Sequence, residues 1–169
     1  DPNNVIDYAI FAASPAGFFT IDQSRGIITT SKPLDYETTT AYLLTVRARD
    51  RGNPRQEATV PVTINVTDVN DNSPKFSASQ YEASVWQLEA ANVKVFTAVA
   101  SDADSGVFGQ VKYFFAQNLA EFNIDEDTGV VATSSSFNQP TSSRFVFQII
   151  ASDNAPQSKR VTTIQVTIN

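Results

Sequence analysis

The 169-residue chain contains no cysteine, no histidine, a single tryptophan and six glycines, and only 18% of its residues are charged. Without histidine and cysteine there is no ordinary zinc or haem site, no disulfide, no cysteine nucleophile and no Ser-His-Asp triad. A bound metal would have to be held by oxygen alone, which suits calcium or magnesium. Lys and Arg number 12 against 18 Asp and Glu, a net charge of −6 with no basic stripe. That balance argues against nucleic-acid binding and against docking on anionic lipid. No apolar run approaches the roughly 20 residues of a membrane-spanning helix. The opening Asp1-Pro2-Asn3-Asn4 does not resemble a signal peptide. Hydrophobic residues at 41% are enough for a packed core, and the length suits one large domain or two modest ones.

The chain repeats itself. Phe19-Thr20-Ile21-Asp22 returns as Phe122-Asn123-Ile124-Asp125, Gly26-Ile27-Ile28-Thr29-Thr30 as Gly129-Val130-Val131-Ala132-Thr133, and Ala48-Arg49-Asp50 as Ala151-Ser152-Asp153. The spacing is a constant 103 residues (122 − 19, 129 − 26, 153 − 50). Internal repetition at this period predicts two copies of one module, with boundaries at 1–72 and 73–169. Only seven residues precede Tyr8 whereas 37 separate Phe76 from its counterpart Tyr113. The first module is therefore expected to lack its opening strands, and the natural protein to continue upstream.

Within each module the pattern is β. Leu44, Val46 and Ala48 alternate with polar residues, as do Val60, Val62, Ile64 and Val66, and Phe145, Phe147 and Ile149. Val161, Ile164, Val166 and Ile168 are read the same way, and all these apolar residues are assigned to the core. Glycines and prolines punctuate at turn spacing, and no segment carries a helical period. The expected fold is all-β, two antiparallel sandwiches with Greek-key connections.

The acids gather where the modules meet. Thr67-Asp68-Val69-Asn70-Asp71-Asn72-Ser73-Pro74 follows a strand and ends in a proline that stops ladder pairing. Its packed carboxylates, carboxamides and carbonyls could wrap a hard cation, which takes six to eight oxygens at roughly 2.3–2.6 Å. Read alone, the segment serves equally as a solvated Asx-rich turn. Asp35 and Glu37, and Asp102 and Asp104, are i, i+2 pairs that share one side of an extended chain. Asp50 and Asp153 each end a strand that reads as buried.

Leu34-Asp35-Tyr36-Glu37, Ala48-Arg49-Asp50-Arg51-Gly52-Asn53-Pro54, Asp68-Val69-Asn70-Asp71-Asn72-Ser73-Pro74-Lys75-Phe76 and Ala100-Ser101-Asp102-Ala103-Asp104-Ser105-Gly106 resemble the signature segments of cadherin extracellular repeats, in the family's order and over essentially the whole chain. The resemblance implies tandem immunoglobulin-like Greek-key β-sandwiches, calcium at the joint between repeats, and a role in calcium-dependent cell-cell adhesion. It implies calcium ligation by the side chains of Asp35, Glu37, Asp68, Asn70, Asp71, Asp102, Asp104 and Asp153, and by the carbonyls of Val69 and Asn72. A further carbonyl ligand is expected at Phe108, where the family usually has Asn. Without divalent cations such a concentration of carboxylates should drive the modules apart or let them swing.

The resemblance also implies the extracellular portion of a plasma-membrane protein, anchored only through segments outside this chain, with other cadherin ectodomains as homophilic or heterophilic partners. No nucleic acid and no small-molecule substrate are expected. A competing reading is an architectural or signalling spacer rod whose adhesive surface lies elsewhere. A glycosidase on a sandwich, using paired carboxylates, is disfavoured because the acids are distributed across a module boundary. The second module departs from the family: Gln87 occupies a glutamate position, and Asn138 and Pro140 replace the counterparts of Asp35 and Glu37. A joint after Asn169 is accordingly expected to bind few or no ions. Asn65-Val66-Thr67 is a glycosylation sequon, with Asn65 expected to point outward. Trp86 is read as ordinary packing or surface exposure, and Lys159-Arg160 as a charge pair without significance.

Overall fold

The computed structural model describes residues 4–86, 89–134 and 144–169. The chain forms two compact units, Asp1–Asp68 and Val69–Asn169, and contains no α-helix among the described residues. Gln87, Asn138 and Pro140, on which the departures of the second module rest, lie outside the described residues.

In the first unit β1 (Ile6–Ser14), β4 (Ala41–Asp50) and β5 (Glu57–Asn65) form an antiparallel sheet in the order β1-β4-β5. A two-stranded ladder joins β2 (Phe19–Ile21) to β3 (Ile28–Thr30). Strand alternation puts Tyr42, Leu44 and Val46 of β4 on the buried face. The Phe18 and Phe19 rings close on Tyr42 at 5.0 and 5.1 Å. The β2–β3 turn is set by Asp22, whose Oδ1 accepts from the amides of Ser24 and Arg25 at 2.9 and 2.7 Å. Gly26 completes it at φ +70°, a region that favours glycine.

The second unit repeats this plan and adds to it. Its counterparts are β10 (Val111–Phe115), β11 (Phe122–Ile124), β12 (Val130–Thr133), β13 (Phe145–Asp153) and β14 (Val161–Ile168). Four further strands precede them: β6 (Lys75–Phe76), β7 (Tyr81–Ala83), β8 (Lys94–Thr97) and β9 (Ala100–Ser101). The sheets run β10-β13-β14-β7 and β11-β12-β8, with β6 paired to β9. The pairings are antiparallel except for β7, which lies parallel to β14. The core between them contains Phe76, Tyr113, Phe122, Val131, Phe147, Ile149, Ile164, Val166 and Ile168. The Tyr113 hydroxyl reaches β9, accepting from Ala100 N at 2.8 Å and donating to Ala100 O at 3.2 Å.

Two residues assigned to the core are exposed. Val161 lies opposite Ser152, whereas Ile149, on the inward face, lies opposite Ile164. The inward register is therefore the even-numbered one, and Val161 points outward and is exposed. Val60 has the right parity, opposite Val46 just as Ile164 is opposite Ile149. Yet Val60 is 53% exposed and Ile164 only 5%. The physical reason is the missing layer: no counterpart of β6 to β9 occurs among the described residues of the first unit. Consequently β5 pairs on one side only, with β4. Trp86 is 83% exposed, the surface alternative of its two readings.

Candidate metal centre

Five of the expected ligands are brought together at one end of the second unit. Asp153, the last residue of β13, is completely buried. Its Oδ1 accepts from Ala155 N at 3.3 Å and its Oδ2 from Arg160 N at 2.9 Å and Asn70 Nδ2 at 2.8 Å. Asp104, 6% exposed, receives Asn72 Nδ2 at 2.7 Å and Asn72 N at 3.2 Å. Asp104 N in turn donates to Asp102 Oδ1 at 3.0 Å. The segment after the first unit is thus stitched by its carboxamides to the β9–β10 turn and to the end of β13.

The hydrogen bonds decide which way the carboxamides face. Asn70 spends its Nδ2 on Asp153 and on Ser158 O at 3.1 Å, and its Oδ1 is buried with no hydrogen-bond partner. Asp102 Oδ2 is likewise buried and unpartnered. Burial pushes the Asp102 carboxyl above its ordinary value of 3.8. The Asp104 and Asp153 charges add to the rise, against the Asp104 backbone hydrogen bond that favours the ionised form. Among the described residues no ion pair reaches Asp102, Asp104 or Asp153. Buried acceptors that lack a donor are expensive in a folded protein, and a cation is what such oxygens accept in place of a proton. The donors are carboxylates, carboxamides and carbonyls, the set that calcium takes. The residues fit that ion.

Of the remaining candidates Asp35, Glu37, Val69 and Asp71 are exposed, and Asp68 and Phe108 are half-buried. Asp71 accepts from Asn72 Nδ2 at 2.9 Å, and its N–H donates to Val69 O at 2.8 Å. Phe108 lies in the turn after Asp104, its N–H donating to Ser105 O at 3.2 Å. Gly109 follows because a Cβ there would meet Asp104 O at 2.0 Å. In the first unit Asp35 and Glu37 are exposed in the turn before β4. One Asp35 oxygen is committed to that turn, accepting from Glu37 N at 3.0 Å and Thr38 N at 3.3 Å. Asp68 is half-buried at the unit's last position. Asn65 is exposed at the end of β5.

Lys159-Arg160 reads in the sequence as a charge pair without significance, yet Arg160 contacts the 70–72 segment. Its Nε donates to Asn70 O at 3.0 Å. The available signal was the internal repeat. Asp50 exchanges backbone and side-chain bonds with Gln56 in the first unit as Asp153 does with Arg160 in the second. Arginine thus stands where the other copy has a neutral residue.

A sequence profile of the cadherin domain matches residues 1–67 and 81–169. The chain is 32% identical over 98% of its length to the protocadherin-like wing polarity protein stan of Drosophila melanogaster. It is 33% identical over 98% of its length to human protocadherin-23. In both cases it spans 5% of the relative's length. A crystal structure of mouse cadherin-23 EC22-24 superposes with a TM-score of 0.95 at 29% identity, covering all of this chain and 55% of that one. With two profile matches in tandem and the sandwich strands described above, the chain belongs to the cadherin family as two successive extracellular repeats.

Proposed function

We propose that the chain is a stretch of a calcium-dependent adhesion ectodomain in which calcium stiffens the joint between the two repeats. The observation that carries this reading is the pair of buried, unpartnered oxygens, Asn70 Oδ1 and Asp102 Oδ2, beside the buried carboxylates of Asp104 and Asp153. The residues that would hold the ions are Asp35, Glu37, Asp68, Asn70, Asp71, Asp102, Asp104 and Asp153, with the carbonyls of Val69, Asn72 and Phe108. Bound calcium would supply positive charge to carboxylates that otherwise repel one another. The chain's own part is to hold its oxygens ready: Asn72 orients Asp104, and Arg160 N and Ala155 N orient Asp153. The family places such repeats outside the cell, and we assign the partners to other cadherin ectodomains, the repeat boundary to residues 72 and 73, and Asn65 to glycosylation.

Calorimetric titration of the 169-residue chain with calcium, followed by melting with and without a chelator, tests the reading. Saturable heat, a large rise in Tm and a calcium-dependent lengthening in small-angle scattering are expected. No heat and identical melting in calcium and chelator would refute it.

A further inference from the structure

The end of the second unit contains more fastening than ion binding requires. Asn70 is held by three hydrogen bonds to the end of β13 and the loop that follows it: its Nδ2 donates to Asp153 Oδ2 and Ser158 O, and its backbone carbonyl accepts from Arg160 Nε. Arg160 is itself fixed at its backbone, its N–H donating to Asp153 Oδ2 and its carbonyl accepting from Asp153 N at 3.1 Å. Two residues on, Asn72 is tied to Asp104 through both its backbone and its side-chain nitrogen. None of these bonds includes a metal.

We propose that Arg160 is a positioning residue, whose guanidinium fastens the Asn70 carbonyl and keeps the Asn70–Asn72 segment seated on the second repeat when no calcium is bound. The guanidinium suits the task because it stays charged at any working pH and its donors are held in a plane. A charge-assisted donor to a carbonyl is stronger than a neutral one. Gln56 at the equivalent place in the first repeat retains the backbone bonds to Asp50 but has no such charge. The consequence is that the metal-free chain reorients at residues before Asn70, while the ligands from Asn70 onward stay assembled. That consequence for ion binding rests on the calcium reading. The fastening itself does not.

The test is 15N relaxation of the 169-residue chain in chelator. For the wild type, order parameters at Asp71 and Asn72 should match those within β13, about 0.85. Arg160→Gln, which installs the first repeat's residue, should drop them below about 0.6 and speed Asn72 amide exchange about tenfold or more. The β13 and β14 amides serve as the control for an intact fold. Arg160→Lys, still a charged donor, should recover at least half of the lost order. Wild-type disorder at these amides, an unchanged Arg160→Gln, or a failure of lysine to rescue would each overturn the proposal. Absence of calcium binding, detected separately by titration, would sink the calcium reading and leave this one standing.

Discussion

Asparagine at position 102 should stabilise the metal-free protein and weaken its response to calcium, two effects of opposite sign from one atom exchange. Asp102→Asn keeps the side-chain shape and the acceptor for Asp104 N while removing a charge. In the wild type, burial and the neighbouring acids raise the folded carboxyl above 3.8. A folded value above the unfolded one means that the associated stability is complete below about pH 3.8 and is lost as pH rises through the folded value. At neutral pH the wild type therefore bears the whole penalty and Asp102→Asn none, so the variant melts higher in chelator. The gap should close on acidification below pH 3.8. Calcium acts in the opposite sense. Ion affinity follows the number of ligand charges, and losing one carboxylate should weaken binding about tenfold, about 1.4 kcal/mol. At about a hundredfold excess over Kd, calcium contributes about 2.7 kcal/mol to the wild type and about half of that to the variant. For a unit of about 100 residues each kcal/mol moves Tm by about 4–8 °C, so a calcium-induced rise of about 10–20 °C should fall by half. Differential scanning calorimetry in calcium and in chelator reads both effects. A variant that melts lower than wild type in chelator at neutral pH, or that gains as much from calcium, would refute the reasoning.

Gly129→Ala should cost about 3 kcal/mol or more, because its φ of +68° is joined by a Cβ only 2.3 Å from Ala98 O. Gly26→Ala has nearly the same φ, but its Cβ would meet only the Tyr8 ring at 3.2 Å, and about 1–2 kcal/mol is expected. Urea titration of the two variants checks the difference. Tyr113→Phe leaves Ala100 N without its hydroxyl acceptor and should lose about 1–3 kcal/mol in the same assay. Asp125 is held below 3.8 first by the Thr128 hydroxyl and then by the Thr128 and Asp127 amides. Its contribution is present above about pH 3.8 and is lost as pH falls through the lower folded value. An NMR titration should find its midpoint below 3.8, and Asp125→Asn should flatten that part of the acid-stability curve.

Alternation alone located the central strands, since burial on one face of β4 or β13 forces a period of two on Tyr42, Leu44 and Val46 and on Phe147, Ile149 and Ala151. It fails at Val161 because that residue breaks parity with Ile164, Val166 and Ile168. It fails at Val60 for another reason: parity says which way a side chain points and nothing about what covers it. At the candidate metal centre, residue types and spacing single out the 68–72 segment, the Asp102 and Asp104 pair and Asp153, because oxygen chemistry is written in side-chain identity, whereas the assignment of individual ligands rests on the resemblance to cadherin repeats. Which carboxamide atom faces which way depends on bonds across more than eighty residues, such as Asn70 to Asp153. The contact that Arg160 makes is illegible for the same reason, although the repeat shows that its charge has no counterpart at Gln56. The partner of Arg160 is a backbone carbonyl, which every residue has.

The one-sided pairing of β5 leaves an open strand edge on these 169 residues. A strand edge with unspent backbone donors and acceptors, next to an apolar face that includes Val60, is a template for a strand from another molecule. Pro61, in the middle of β5, has no N–H to offer and interrupts that template at one position. Within these 169 residues the first repeat therefore presents a nine-residue open edge at β5, whereas along β14 of the second repeat the edge is the three-residue β7.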